Sequence, residues 1–203
     1  MVVRVVVALL APIGWAPPGV DPVQWRTALA EDVVDLLTTL NQVDTAVAVT
    51  PADRWLADAV IWPGMAVHEV PEPTPNAVFA ATAGRYEQVA VVAGDAPDLP
   101  GLTVGKLLRP LTSRPVAVAP VEGNLPGLLG VAARLPVPQW LPALDMEAAV
   151  PATVRAAAPR PGDLAVTPSW HRLRGPADLA RLDPALGGWE NTRTLLSGTG
   201  RPG

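Results

Sequence analysis

Two aspartates follow an uninterrupted apolar run near the middle of this 203-residue chain. The run Val89-Ala90-Val91-Val92-Ala93 ends at Gly94, and Asp95 and Asp98 come next. A run of this kind is typical of a central strand in a parallel sheet, and ligands bind open α/β sheets at the carboxyl ends of such strands. Two carboxylates there could hold Mg²⁺ or Mn²⁺ against phosphate oxygens. The alternative, which spacing alone favours, is that Asp95 only terminates the strand and Asp98 lies in the following turn.

Other familiar catalytic patterns are absent from the sequence. The chain has no cysteine, which excludes disulfides, thiolate zinc sites and cysteine nucleophiles. It contains no Gly-x-Gly-x-x-Gly after the first strand, no Gly-Lys-Ser/Thr and no Gly-x-Ser-x-Gly. A dinucleotide fold of the usual kind, a P-loop and a serine hydrolase are therefore unsupported. His68 and His171 are the two histidines, and neither has a partner at a metal-binding spacing, so we do not predict a catalytic role for them.

Composition and charge set broad limits on the protein and its partners. Hydrophobic residues make up 49% of the chain but aromatic residues only 4%, so the core must be built from Val, Leu and Ala. The formal net charge of −4 does not favour binding to nucleic acid or to an acidic membrane surface. The apolar start of the chain is too short to span a bilayer and is typical of a first buried strand. We therefore predict a cytoplasmic protein without a nucleic-acid or membrane partner.

Apolar segments of strand and helix type alternate along the chain at the spacing of βαβ units. This alternation predicts an α/β fold: a single-domain Rossmann-like α/β/α sandwich over residues 1–196, with a mostly parallel mixed sheet and a flexible tail at 197–203. The strand after Ala119 is predicted to be antiparallel, because its connection is too short for a helical crossover. The predicted strands cover residues 2–10, 45–49, 66–70, 88–93, 115–119, 125–133 and 163–166. The predicted helices cover residues 22–40, 50–59, 75–83, 102–111, 146–157 and 176–182.

Residues 91–99 resemble the Gly-Ser-Asp-x-Pro-Asp-Leu signature of nucleotide-diphospho-sugar transferase-like proteins. The group they resemble most is the uncharacterised glycosyltransferase-like family found beside radical SAM enzymes. The molybdenum cofactor and 2-phospholactate guanylyltransferases are more distant relatives. Residues 119–130 resemble Gly-Pro-Ala-x-Asp-Gly-Gly-Tyr-x-Leu-Leu-Gly, and residues 170–179 resemble Asp-x-Asp-Thr-Pro-Glu-Asp-Leu, in the family's order. The resemblance implies the glycosyltransferase A fold and a nucleotide or nucleotide sugar as the bound partner.

The resemblance also implies site residues, and this chain departs from the family at several of them. Asp95 and Asp98 would be the catalytic and metal-binding acids, with Mg²⁺ or Mn²⁺ as the cofactor. The two lysines of the family's first loop are missing from residues 10–19, and Arg26 is the one basic residue kept nearby. Arg172 and Arg174 stand where the family has late acids.

The remaining substrate-binding candidates lie in the middle motif. The acid of the family's Asp-Gly-Gly-Tyr falls at Gly123 or Asn124, which leaves Glu122 as the nearby carboxylate. The predicted substrate-binding set is therefore Arg26, Glu122, Asn124, Arg172 and Arg174. Tryptophans such as Trp15 or Trp140 could stack on a base or sugar, or lie in a homodimer interface, although packing onto the core is the favoured interpretation for most.

Three hypotheses follow from these departures. The protein could be a nucleotidyl- or glycosyltransferase assisted by a metal at Asp95 and Asp98. It could be a transferase in which arginines replace the metal, because a guanidinium pairs bidentately with phosphate or carboxylate. It could also be a non-catalytic binding or scaffold protein that retains the transferase fold. The metal-assisted transferase and the non-catalytic protein differ on whether Asp95 faces an open pocket or an arginine.

Overall fold

A computed structural model describes residues 2–198, and its seven strands form one sheet. The strands are β1 (Arg4–Leu9), β2 (Asp44–Val49), β3 (Ala66–Glu69), β4 (Gln88–Ala93), β5 (Val116–Pro120), β6 (Leu128–Arg134) and β7 (Leu164–Val166). Their order across the sheet is β3-β2-β1-β4-β6-β5-β7. β6 is antiparallel to both of its neighbours, and the other pairs are parallel. The predicted α/β class, the mostly parallel mixed sheet and the antiparallel strand after Ala119 are confirmed.

Six α-helices and four short 3₁₀ segments connect the strands within the described residues. The helices are α1 (Pro22–Thr38), α2 (Arg54–Val60), α3 (Pro75–Thr82), α4 (Gly101–Leu108), α5 (Pro151–Ala157) and α6 (Glu190–Gly198). α1 begins where the sequence predicts, because the Asp21 carboxylate accepts hydrogen bonds from the N–H groups of Val23 and Gln24 at 3.0 Å. Between residues 2 and 198, no helix combines the length and the apolar character needed to cross a membrane.

The core lies on both faces of the sheet, in keeping with alternating side-chain direction along each strand. On β4, Ala90 and Val92 pack with α1, α2 and α4 on one face. Val89 and Val91 pack with α3 and α5 on the other. Every residue of β1 after Arg4 and every residue of β4 is buried, which explains why these strands appear in the sequence as continuous apolar runs.

The structure corrects two element predictions and specifies the type of a third. α5 starts at Pro151 rather than at residue 146, and Asp145 instead accepts the Glu147 N–H in a turn. The predicted short helix at residues 176–182 is a 3₁₀ helix over residues 176–181. α6 is absent from the sequence-based prediction, and it includes the first two residues of the predicted tail. Residues 199–203 of that tail lie outside the described part of the chain.

Candidate functional site

The carboxyl ends of β1 and β4 lie side by side, because these strands are parallel and Leu9 pairs with Ala93. The loop after β1 and the loop after β4 therefore meet at one edge of the sheet. Position 94, where the two loops meet, has no room for a side chain. A Cβ atom there would lie 2.8 Å from Leu10 Cδ2 and 3.0 Å from the Leu9 carbonyl oxygen. Asp95, which lines one cavity with residues 9–13, and Asp98 are both buried at this edge.

Arg172 occupies the space in front of Asp95. Its Nε donates to Asp95 Oδ1 at 2.6 Å and its Nη2 to Oδ2 at 2.9 Å, a bidentate pair. Its Nη1 donates to the carbonyls of Leu128, at 3.2 Å, and Met146, at 3.0 Å. Nη2 also donates to the Glu147 carboxylate. All five N–H groups of this guanidinium are therefore engaged.

Arg172 remains charged although only 4% of its side chain is exposed. Burial alone would lower the pKa of Arg172, but the Asp95 and Glu147 carboxylates outweigh that effect and raise it above its ordinary value. Asp95 is thus neutralised by a permanent internal cation. Of the three hypotheses, the two that place an arginine against Asp95 agree with this contact.

Asp98 is held by two aromatic side chains. Trp170 Nε1 donates to Asp98 Oδ1 at 3.2 Å, and His171 Nε2 lies 2.9–3.0 Å from both carboxylate oxygens. The two rings stack at a centroid distance of 5.0 Å. On its other side, His171 Nδ1 is 3.9 Å from Glu122 Oε2. His171 is thus a member of the site that sequence reasoning missed, because 73 residues separate it from its partner and no local spacing connects them.

These two acids, as arranged, do not fit a divalent cation. The side chains of Arg172, Trp170 and His171 already engage both oxygens of each carboxylate. Among residues 2–198, no group of three or more His, Cys, Asp or Glu side chains is placed to hold a metal ion. Mg²⁺ in proteins is held by one or two carboxylates together with waters and phosphates, so a site here would need carboxylate oxygens that are not already paired. The predicted role of Asp95 and Asp98 as metal ligands therefore has no support in this geometry.

Arg26 is a basic residue at this edge of the sheet that has hydrogen-bonding capacity to spare. It projects from α1, and its Nη1 lies 2.7 Å from Asp53 Oδ1, while its guanidinium sits 5.4 Å from the centre of the Trp55 ring. Its Nε and Nη2 are buried and have no hydrogen-bond partner among the described residues. Together with Gly94, Asp95, Arg172 and residues 9–13, it lines a cavity of about 20 Å³.

The other predicted substrate-binding residues, Glu122, Asn124 and Arg174, do not line this cavity. Arg174 Nη1 donates to the Pro126 carbonyl at 2.8 Å, and Glu122 Oε2 lies 3.4 Å from Arg181 Nη1. Asn124 is exposed in the loop between β5 and β6. The fold thus brings Arg26, Asp95 and Arg172 around one cavity.

Trp15 holds the loop after β1, the first loop (residues 10–20), against this edge of the sheet. Its Nε1 donates to the Leu173 carbonyl at 3.0 Å, and its ring meets Trp25 edge-on at 5.2 Å. Leu173 in turn donates its N–H to the Asp95 carbonyl at 2.8 Å. Trp15 therefore packs against the late segment, and Trp140 likewise packs against the core.

Replacing Trp15 by phenylalanine should cost about 1 kcal/mol of stability, because the Leu173 carbonyl loses its donor while most of the ring contact remains. Amide exchange in the loop at residues 10–20 should also become faster. Urea unfolding and hydrogen-exchange mass spectrometry would measure both effects. The matched control is Trp62→Phe, which removes a comparable Nε1 bond to Asp35 from a side chain that is 52% exposed. If the two variants lose equal stability, the bond from Trp15 to Leu173 does not hold the first loop in place.

Comparison with solved structures assigns the fold. A 4-diphosphocytidyl-2C-methyl-D-erythritol synthase from Anaerococcus prevotii DSM 20548 superposes with a TM-score of 0.60 at 9% identity, covering 96% of both chains. A protein from Desulfovibrio desulfuricans G20, provisionally assigned as a nucleotide-diphospho-sugar transferase, gives 0.58 at 16% identity over 98% of both chains. This chain has the nucleotide-diphospho-sugar transferase fold.

A third neighbour of this fold was solved with ligands. Glucosyl-3-phosphoglycerate synthase from Mycobacterium tuberculosis, in complex with Mn²⁺, UDP and phosphoglyceric acid, gives a TM-score of 0.53 at 16% identity. The match covers 100% of this chain and 80% of the synthase. No protein-family model and no curated protein matches the sequence. At these identities, the nucleotide-diphospho-sugar transferase fold is what the comparisons establish.

Proposed function

We propose that this protein is a nucleotidyl- or glycosyltransferase-like protein that binds the phosphates of a nucleotide or nucleotide sugar beside Arg26. One observation carries the proposal: a buried guanidinium with two unpartnered nitrogens, among the residues that the structure describes, lines a cavity at the carboxyl ends of β1 and β4. In open α/β sheets, ligands bind at this edge.

An anionic ligand would satisfy the unpartnered atoms. A buried donor without an acceptor costs about 1–3 kcal/mol, so Arg26 favours a ligand that brings oxygen acceptors. Phosphate oxygens suit a guanidinium well, because two parallel N–H groups can donate to them together. Residues 10–13, in the loop after β1, also line the cavity.

The UDP bound to the M. tuberculosis synthase is consistent with a nucleotide ligand for this fold. That structure also holds Mn²⁺, whereas our proposal for this chain omits a metal. The reason is local: Arg172 already neutralises Asp95, and Trp170 and His171 already hold Asp98. Asp95 therefore positions Arg172 beside the proposed ligand, and Asp98 holds the neighbouring aromatic side chains in place.

Binding must be accompanied by movement of the first loop. A cavity of about 20 Å³ has room for one water molecule and not for a nucleotide. The bond from Trp15 Nε1 to the Leu173 carbonyl is the contact that has to open. Arg172 can stay in place during this opening, since its partners lie on β6, on the loop after β4 and on residues 146–147.

A non-catalytic binding or scaffold role is the second candidate, and a specific observation favours it. Both candidate catalytic acids and all five N–H groups of Arg172 are already paired. These residues therefore offer no free acid or base for transfer chemistry.

A ligand panel tests the binding proposal. Nucleoside di- and triphosphates and UDP- and CMP-linked sugars are added to the protein in EDTA, and thermal shift and calorimetry are recorded. We expect at least one to bind, and Arg26→Met to weaken that affinity roughly 10- to 100-fold by removing charge-assisted bonds. Arg85→Met is the control, because Arg85 also lies over an aromatic ring, that of Tyr86, but lines no part of this cavity. No binding at millimolar concentration would overturn the proposal.

Phosphorus NMR separates the two candidates once a ligand is known. Release of a nucleoside phosphate or of pyrophosphate from the bound compound, abolished in Arg26→Met, would support transfer. Binding without any change of the phosphorus spectrum over a day, with a range of hydroxyl acceptors present, would support the non-catalytic role.

A further inference from the structure

We infer that Arg172 is the resident cation of this site, where a divalent metal would otherwise neutralise Asp95. The inference deepens the proposed phosphate-binding function and rests on it for the ligand. It starts from the disagreement between the predicted Mg²⁺ or Mn²⁺ and the contacts that Asp95 makes.

The surroundings of Arg172 resemble a cation-binding shell in their chemistry. Five oxygens surround its guanidinium: both carboxylate oxygens of Asp95, the carbonyls of Leu128 and Met146, and a carboxylate oxygen of Glu147. They come from the loop after β4, the start of β6 and residues 146–147. One side chain therefore ties several distant segments together, as a metal bound by oxygen ligands would.

The packing around this shell leaves little room for a second cation. Gly127 precedes β6 with a φ of +122°. A Cβ atom on it would lie 2.7 Å from Arg174 Nη1 and 3.1 Å from the Met146 carbonyl oxygen. The Leu128 N–H also donates to that same carbonyl at 2.9 Å. The backbone at the start of β6 therefore packs tightly against Arg172 and Arg174.

Charge excludes a metal as strongly as packing does. A divalent ion bound to Asp95 would lie within a few ångströms of a guanidinium that cannot give up its proton. Like charges at such a distance repel strongly in a buried site. Metal binding would therefore require Arg172 to leave its pocket and abandon its bonds to Leu128 and Met146.

Manganese binding provides the test, read by electron paramagnetic resonance and thermal shift without any activity assay. Wild type should show no Mn²⁺ binding that depends on Asp95, with or without nucleotide. Arg172→Met should uncover Asp95 and Glu147 and gain a Mn²⁺ site. Saturation to about 100 times Kd should then raise its melting temperature by roughly 5–10 °C. The double variant Asp95→Asn/Arg172→Met should lose that gain.

Arg54→Met is the matched control, because Arg54 also bridges two carboxylates, Asp58 and Glu69, at the surface. A gain of Mn²⁺ binding in Arg172→Met beyond this control supports the inference. Mn²⁺ binding to wild type that Asp95→Asn abolishes would overturn it. If Arg172→Met does not fold, the comparison of wild type with Asp95→Asn can still overturn the inference. If wild type binds neither nucleotide nor Mn²⁺ but Arg172→Met gains Mn²⁺, the proposed function is contradicted and the exclusion of metal by Arg172 is supported.

Discussion

Replacing Arg172 by methionine is expected to destabilise the protein by about 3–5 kcal/mol, the largest effect of any single substitution proposed for this chain. The loss is large because Asp95 would remain buried as an uncompensated carboxylate. The carbonyls of Leu128 and Met146 would also each lose one donor, although Met146 keeps its bond from the Leu128 N–H. Native domains are stable by only about 5–15 kcal/mol in total, so a large share of that margin would disappear.

Equilibrium unfolding in urea, followed by circular dichroism, would measure this loss. The free energy of unfolding of Arg172→Lys should lie between those of wild type and Arg172→Met. Lysine keeps the charge but cannot reproduce the planar guanidinium with its five donors. Arg54→Met should change stability little, since its ion pairs are exposed. If the urea midpoint of Arg172→Met equals that of wild type, the bidentate pair does not stabilise the protein and the prediction is wrong.

The double variant Asp95→Asn/Arg172→Met adds a test of cause. If the cost comes from an unpaired buried charge, then removing both partners should restore part of the stability that Arg172→Met loses. If the cost comes from lost packing instead, the double variant should be at least as unstable as the single one. The sign of the coupling between the two substitutions separates these explanations.

The strands were the most predictable part of the fold. Central strands such as β4 are buried on both faces and therefore appear in the sequence as continuous apolar runs. The direction of β6 also followed from chain length alone, because the few residues after Pro120 cannot form a crossover helix.

The C-terminal helices were harder because their determinants are not local. Asp145 and the following residues carry a helix-start pattern, but Pro151 sets the actual start of α5. α6 has two adjacent leucines as its only large apolar residues, which is too few to mark an apolar face in the sequence. Its stability depends instead on packing against α1 and on a carboxylate 159 residues away. A pattern search along the chain cannot detect such a partner.

The candidate site was predictable in its location and not in its contacts. The acids after β4 and the arginines near residue 172 could both be placed at the same sheet edge. Spacing alone, however, left open whether Asp95 would meet a metal or a guanidinium. The contact is set by the loop after β7, which lies 77 residues further along the chain. His171 was missed for the same reason, since only the fold places it against Asp98.

The second large effect is expected at Asp32, where substitution by alanine should cost about 2–3 kcal/mol. Asp32 lies in the middle of α1 and is 1% exposed. Its Oδ1 accepts bonds from the N–H and the side-chain amide of Asn191 at 3.0 Å, and its Oδ2 accepts the Thr192 N–H at 2.8 Å. It therefore caps the first turn of α6 from a distant helix, and alanine would leave these donors without acceptors.

The cost of replacing Asp32 should also depend on pH. Burial raises the pKa of Asp32, while the hydrogen bonds from Thr192 and Asn191 act in the opposite direction and do not cancel the rise. A raised folded-state pKa means that the folded protein binds this proton more tightly than the unfolded chain. The contribution of Asp32 is therefore greatest below its unfolded pKa, about 3.9, and declines as pH rises through its folded pKa. Asp32→Ala should accordingly lose less stability at pH 7 than at pH 4.

Urea unfolding at both pH values, combined with hydrogen exchange at residues 190–198, would test the cap. Asp35→Ala is the matched control, because Asp35 lies on the same helix but its carboxylate accepts a bond from the exposed Trp62 instead of from α6. Loss of exchange protection confined to α6 in Asp32→Ala, and absent from Asp35→Ala, is the expected pattern. Since α6 packs on α1 beside the cluster of Trp25 and Leu29, against which Trp15 also packs, its release should loosen the first loop as well. Unchanged protection of α6 in Asp32→Ala would show instead that packing against α1 holds the helix without its cap.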